Sequence, residues 1–178
     1  MQHIETVPVG AGGAASITFS AIPDTFTDLV LVTSIRDTGA GFQLLLMDIN
    51  GSATNRRWRS LFGNGVGGVG TQDETAGNPA NMIALVNGST SAALNIIAYT
   101  SAQIYLPNYR SSNNKSFSAD STTENNSGEN YSFFMAGLWE QTAAITSLTI
   151  KTTNTVAEFS SASLYGITAG SDGIVAVS

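Results

Sequence analysis

The sequence predicts an all-β fold, an antiparallel β-sandwich of jelly-roll type built from about ten to twelve short strands. Three observations predict it. Polar and apolar residues alternate with period two in segments such as Ser16–Ser20 and Lys115–Thr123, the signature of a strand with one buried face. Turn signals, among them Ile22-Pro23-Asp24, Asn50-Gly51 and Asn87-Gly88, recur at intervals of roughly 8 to 14 residues. No segment sustains the apolar period of a long helix.

Taken in chain order, Ser16–Ser20 is the first alternating strand, and Ile22-Pro23-Asp24 turns the chain. Asp28–Arg36 is apolar and β-branched on both faces at its centre, which predicts an interior strand. Phe42–Ile49 runs into Asn50-Gly51, a short-hairpin signal, and Arg56–Phe62 resumes as a strand. Gly63–Pro79, opening with GNGVGGVG, reads as a long loop. Asn81–Val86 fits either a strand or a helical turn. Strands are expected over Ala92–Tyr99 and Ser101–Leu106, then over Lys115–Thr123 with Lys115, Phe117, Ala119 and Ser121 sharing one face. Asn125–Asn130 is a polar loop, and Tyr131–Glu140 (YSFFMAGLWE) is a second strand apolar on both faces. Ile145–Thr152 and Val156–Ile167 complete the set, and Thr168–Ser178 is a Gly- and Ala-rich tail. Residues 1–178 are expected to form a single domain, large enough to bury about two-thirds of the unfolded surface.

Composition narrows the function. Charged residues make up 11% of the chain, against about 25% in ordinary soluble domains. Ser, Thr, Asn and Gly supply the polarity instead. Such a neutral surface suits contact with other protein better than repulsion of neighbours. The absence of cysteine excludes thiol catalysis, thiolate zinc sites and iron–sulfur clusters. A formal charge of −6 with seven Lys and Arg argues against nucleic acid, which is held by a basic footprint. The first residues, MQHIE, carry no signal-peptide pattern. The uncharged stretch Thr75–Tyr109 is broken by prolines and studded with Ser, Thr and Asn, so no membrane span is expected.

Chemistry-bearing motifs are few. Two overlapping G-x-G-x-x-G matches within Gly63–Gly70 lack the helix that a dinucleotide site needs. Asp48-x-Asn50-x-Ser52 partly matches a calcium loop, yet the twelfth position is Arg59 where a bidentate Glu is required. Asp120, Glu124, Asn125, Asn126 and Glu129 offer oxygens in an unspecific spacing. His3 is the single histidine, so a Ser-His-Asp triad would have to use it. The five N-x-S/T sequons, at Asn50, Asn87, Asn114, Asn125 and Asn130, follow from an Asn/Ser/Thr-rich composition. No catalytic residue, metal ligand or cofactor is expected.

The candidate interface residues are Arg56, Arg57, Trp58, Arg59, Tyr105, Tyr109 and Arg110. Arg56-Arg57-Trp58-Arg59 concentrates three of the seven positive charges around one ring. On a strand Arg57 and Arg59 share one face, Arg56 and Trp58 the other. Trp and Arg dominate interface hot spots, and the alternative places Trp58 in the core. Tyr105, Tyr109 and Arg110 flank Pro107-Asn108, either as an exposed aromatic platform or as a strand end.

Three segments together carry a family likeness: Ile4–Arg36, Ile104–Asn126 (IYLPNYRSSNNKSFSADSTTENN), and Gly137–Ile167, which opens GLWEQTAAITSLTI and closes EFSSASLYGI. The chain resembles virion structural proteins of tailed bacteriophages, especially those of aquatic and cyanobacterial phages. The resemblance implies a jelly-roll-like sandwich that decorates a capsid or belongs to a tail or fibre. It brings no binding or catalytic residue with it. The resulting expectation is a non-enzymatic capsid decoration (cement) protein, assembled in the host cytoplasm and bound to the outer surface of the major capsid protein lattice. Its copies are expected to associate, with a trimer favoured by lattice geometry. His3–Val9, Arg56–Arg59 and Gly63–Pro79 are the expected contact regions. The alternative is a tail- or fibre-associated module that binds receptor or glycan.

Overall fold

The computed structural model describes residues 1–87, 98–124 and 130–169. Its strands are β1 (Gln2–Pro8), β2 (Ile17–Phe19), β3 (Asp28–Ile35), β4 (Phe42–Ile49), β5 (Arg56–Gly63), β6 (Val69–Asp73), β7 (Met82–Asn87), β8 (Thr100–Leu106), β9 (Lys115–Glu124), β10 (Asn130–Trp139), β11 (Leu148–Thr152) and β12 (Ser161–Ile167). One 3₁₀ turn, Glu74–Ala76, is the only helical element among the described residues.

The strands form two antiparallel sheets packed face to face. One has eight strands in the order β1-β12-β3-β8-β9-β10-β5-β6, and the other four in the order β2-β11-β4-β7. Without β5, β6, β9 and β10, what remains is β1-β12-β3-β8 opposite β2-β11-β4-β7. The chain then crosses between the sheets at nearly every connection, and the last strand lies beside the first. That is a jelly roll, the class the alternation and turn spacing predict. The other four strands are additions. β5 and β6 are inserted between β4 and β7, β9 and β10 between β8 and β11, and all four extend the larger sheet beyond β8.

Alternation explains the core. Leu29, Leu31, Ile104, Leu106 and Leu164 of the larger sheet and Ile17, Phe19, Leu45, Met47, Leu148 and Ile150 of the smaller are fully buried in one cluster. Phe117, Phe133, Met135, Trp139 and Trp58 carry this cluster under the added strands. Gly137 stands opposite Phe117 on β9. A Cβ on Gly137 would occupy the space of the Phe117 ring, so the ring covers the gap the glycine leaves.

Several expectations are corrected. Asn50-Gly51 does make a tight turn, with φ of 51° and 73° and reciprocal bonds between Ile49 and Ser52 of 3.1 and 2.9 Å. It does not join a hairpin, because β4 pairs with β7 and β11 whereas β5 pairs with β10 and β6. The long loop over Gly63–Pro79 contains β6 and the 3₁₀ turn. Gly70 is required there, since a Cβ would stand 2.8 Å from the Phe62 ring of the partner strand. The segment Asn81–Val86 is a strand, β7. The N-terminal segment is edge strand β1, which its lack of alternation conceals. A bulge between His3 and Glu5 lets Ile4 and Val7, three residues apart, both pack on the core. Strand structure in 145–152 is confined to β11, and in 156–167 to β12. Of the strand predicted over 92–99, residues 92–97 lie outside the described residues and 98–99 are not strand; of the loop over 125–130, Asn130 begins β10 and the rest lies outside the described residues, as does the predicted tail from 170 onward.

Candidate functional site: the outward face of the added strands

Strand β5 divides the Arg56–Arg59 motif between two environments. Arg56, Trp58 and Ser60 point inward and Arg57, Arg59 and Leu61 outward. Trp58 is 2% exposed, and its indole Nε1 donates to the Pro79 carbonyl at 3.3 Å. It is a core residue, so the hot-spot reading of Trp58 is replaced by its alternative. Arg56 is equally buried. Its Nη2 donates to the Ser52 carbonyl at 3.2 Å, and desolvation lowers its pKa to about 10 against the opposing pull of Asp48. Neither side chain is available to a partner.

Arg57 and Arg59 remain outside, and each leans on acids. Arg57 lies 3.4 Å from both Glu74 and Glu140. The hydrogen bond to Glu74 is the main cause of its raised pKa. Glu74 in turn accepts from the Trp58 backbone N–H at 3.1 Å, the leading reason its carboxyl sits below the usual range. Arg59 meets Asp73 of β6 at 2.8 Å while its side chain stays 83% exposed.

The second aromatic candidate dissolves. Asn108, with φ 49°, turns the chain so that Tyr109 enters the core, where its hydroxyl donates to the Pro23 carbonyl. The Tyr105 hydroxyl donates to Asp28 Oδ2 at 2.7 Å, and Asn108 N–H donates to Asp28 Oδ1 at 2.8 Å. The Tyr105–Asp28 bond, with burial, pushes the Tyr105 phenol up to about 12. Arg110 alone of the three is exposed, so no aromatic platform forms.

The remaining motifs also find structural uses. Asn64 Oδ1 accepts from Val66 N–H at 3.3 Å and Gly68 N–H at 2.7 Å, closing the glycine-rich β5–β6 turn on itself. Asp48 is occupied by Lys151 at 2.6 Å and by Asn81 at 2.7 Å, and Asn50 Oδ1 accepts from the N–H groups of Thr146 and Ser147. His3 bonds Thr6 at 2.8 Å and meets the Tyr165 ring edge-on. Among the described residues no three His, Asp or Glu side chains gather as a metal-binding group.

The structure brings together a surface that no single motif marks. On the outward side of β10 lie Phe134, Ala136 and Leu138, opposite Leu61, Arg59 and Arg57 of β5 and Asp120, Ser118 and Ser116 of β9. Phe134 is 60% exposed, Leu61 62%, and Val69, at the start of β6, 87%. Phe134, Leu61, Ala136, Ser118, Thr71 and Asp120 surround a shallow concavity of about 670 Å³. A second, of about 420 Å³, adjoins it at Arg59 and Ala136 and is bounded by Arg57, Leu138 and Glu74. By contrast, the outward positions of the jelly-roll strand β12 include Ser161, Ser163 and Tyr165, and those of β8 are Ser101, Gln103 and Tyr105. Exposed bulky apolar groups on this sheet face are thus concentrated in the added strands.

The signal for this face is present in the sequence. Tyr131–Glu140 has the pattern of a strand covered on both sides, and the structure covers one. Compared with known proteins, the chain matches no family model, no curated protein and no solved structure.

Proposed function

We propose that this chain is a non-enzymatic structural protein of a tailed-phage virion, a decoration protein that binds the outer surface of the capsid lattice, and that the outward face of β9-β10-β5-β6 is a protein-contact surface in the assembled shell. The observation that carries the reading is the exposed strip Phe134–Leu61–Val69, set among Arg57, Arg59 and Asp120 on strands added to a complete jelly roll. Apolar groups rimmed by polar and charged ones, on one face, have the composition of a protein-contact surface. Low charge elsewhere allows close packing of neighbours. The sequence resemblance supports the virion setting. The mechanism needs only buried interface: about 1,600 Å² per contact, repeated over a shell, resists outward pressure without covalent chemistry.

Immunogold labelling of intact parent virions with an antibody to this chain tests the proposal. Label distributed over the head is the expected result. Label restricted to the tail, or absent from the particle, overturns it.

A further inference from the structure

The outward face carries the chemistry of both sides of a contact. Asp120 on β9 and Arg59 on β5 stand on opposite sides of β10, one outward position apart along it. Two strand spacings across and two residues along the strand separate them, about 12 Å in all. Between them lie Phe134 and Ala136. Asp120 has no ion pair among the described residues, and Arg59, paired with Asp73 at 2.8 Å, keeps its side chain 83% exposed. The face carries both signs, Arg57 and Arg59 with side chains 64% and 83% exposed beside Asp73, Glu74, Asp120 and Glu140, so a second copy can set opposite charges against it. Arg36, Arg56 and Lys115 are buried and Lys151 is paired with Asp48, which leaves few other cations on the surface.

We propose that this face binds a second copy of the same chain, isologously, about a two-fold axis that lies in the contact plane and crosses β10 between Phe134 and Ala136. With the axis perpendicular to the Asp120–Arg59 line, each copy's Arg59 lies over the other's Asp120. The same rotation brings Phe134 and Leu61 of one copy against Leu61 and Phe134 of the other. Both faces of β10 are then covered, as its sequence requires. An isologous contact closes at two copies rather than three. The inference rests on the reading of this face as a docking surface and names its occupant. Four strands of about eight residues span roughly 19 by 26 Å. That footprint is smaller than the about 800 Å² each partner gives to a standard interface, so a micromolar rather than nanomolar dimer is expected.

Sedimentation velocity over about 2 to 200 μM tests it, since that range brackets micromolar association. Wild type is expected to pass from monomer to dimer. Arg59→Asp alone and Asp120→Arg alone are each expected to stay monomeric, because each sets like charges against one another at both contacts. An equimolar mixture of the two variants restores opposite charges at both contacts and is expected to dimerise. Circular dichroism and thermal melts establish that both exposed-site variants fold. Wild type monomeric throughout, a trimer, single variants that associate like wild type, or a mixture that remains monomeric each overturn the inference. The virion assignment fails separately, in the labelling experiment, whatever the chain does in dilute solution.

Discussion

Replacing Lys115 with Met probes the least expected feature of the interior. Lys115 begins β9 on the same face as Phe117 and Ala119 and is 1% exposed. Among the described residues no carboxylate partners it. Its Nζ instead donates to main-chain carbonyls of Ser111 (2.6 Å), Asn113 (2.7 Å), Gln141 (3.4 Å), Thr142 (3.0 Å) and Ala143 (2.7 Å), and lies 5.7 Å from the centre of the Trp139 ring. The ammonium thus joins the loop before β9 to the segment after β10. Met fills the volume of the stem but donates nothing. The three shortest contacts lose their donor, and a part-buried acceptor left without one costs about 1 to 3 kcal/mol, or roughly 3 to 9 kcal/mol for the three. Against this, removing the charge recovers part of its desolvation cost, the same burial that holds the Lys115 pKa below its ordinary value. The net expectation is a loss of about 2 to 4 kcal/mol. Urea unfolding followed by the fluorescence of Trp58 and Trp139 measures it. With a slope near 2 kcal/mol/M, the midpoint falls by about 1 to 2 M with the slope unchanged. A midpoint shift under ~0.3 M, or an upward one, would show that the carbonyl cage only offsets the cost of burying the charge.

The other predictions concern packing, titration and the division of β5. Gly137→Ala drives a methyl into the Phe117 ring and is expected to cost about 1 to 3 kcal/mol by urea denaturation; an unchanged midpoint means the ring moves aside freely. Tyr105, with its folded pKa raised to about 12, retains its proton where the unfolded chain has lost it. The folded state then binds more protons, so stability falls as pH rises from about 10 to 12. Tyr105→Phe is expected to flatten that fall, leaving the smaller part due to Tyr109, also raised by burial. Trp58→Ala should cost about 3 to 5 kcal/mol as a core truncation, whereas joint replacement of Arg57 and Arg59 by Ala is expected to leave the melting temperature nearly unchanged. Equal effects from the two would contradict the inward and outward assignment of β5.

The fold was largely legible because strand alternation and turn chemistry are local. Phe42–Ile49 coincides with β4, and Lys115 to Ser121 show the predicted single buried face. The partnership of strands was not legible. The Asn50-Gly51 turn has the same local geometry whether it closes a hairpin or passes the chain from one sheet to the other. Irregular backbone hid two edge strands: β1 through the bulge after His3, and β6 through glycines that make room for Phe62. At the candidate site, residue type drew attention to Trp58 and Tyr109, yet large aromatics are as useful inside as at a contact. Only the opposing sheet decided which way they faced. The informative signal was the surplus of apolar residues in β10, more than one buried face requires.

Hydroxyl-radical footprinting of the parent particle and of the dilute free chain tests the docking face most directly. Phe134 and Leu61, both well exposed in the chain alone, are expected to be oxidised readily in the free protein and protected in the particle. Phe159, 74% exposed and outside the face, serves as the reference. Protection of Phe134 and Leu61 relative to Phe159 is the predicted result. Equal oxidation of Phe134 in both states would contradict the account.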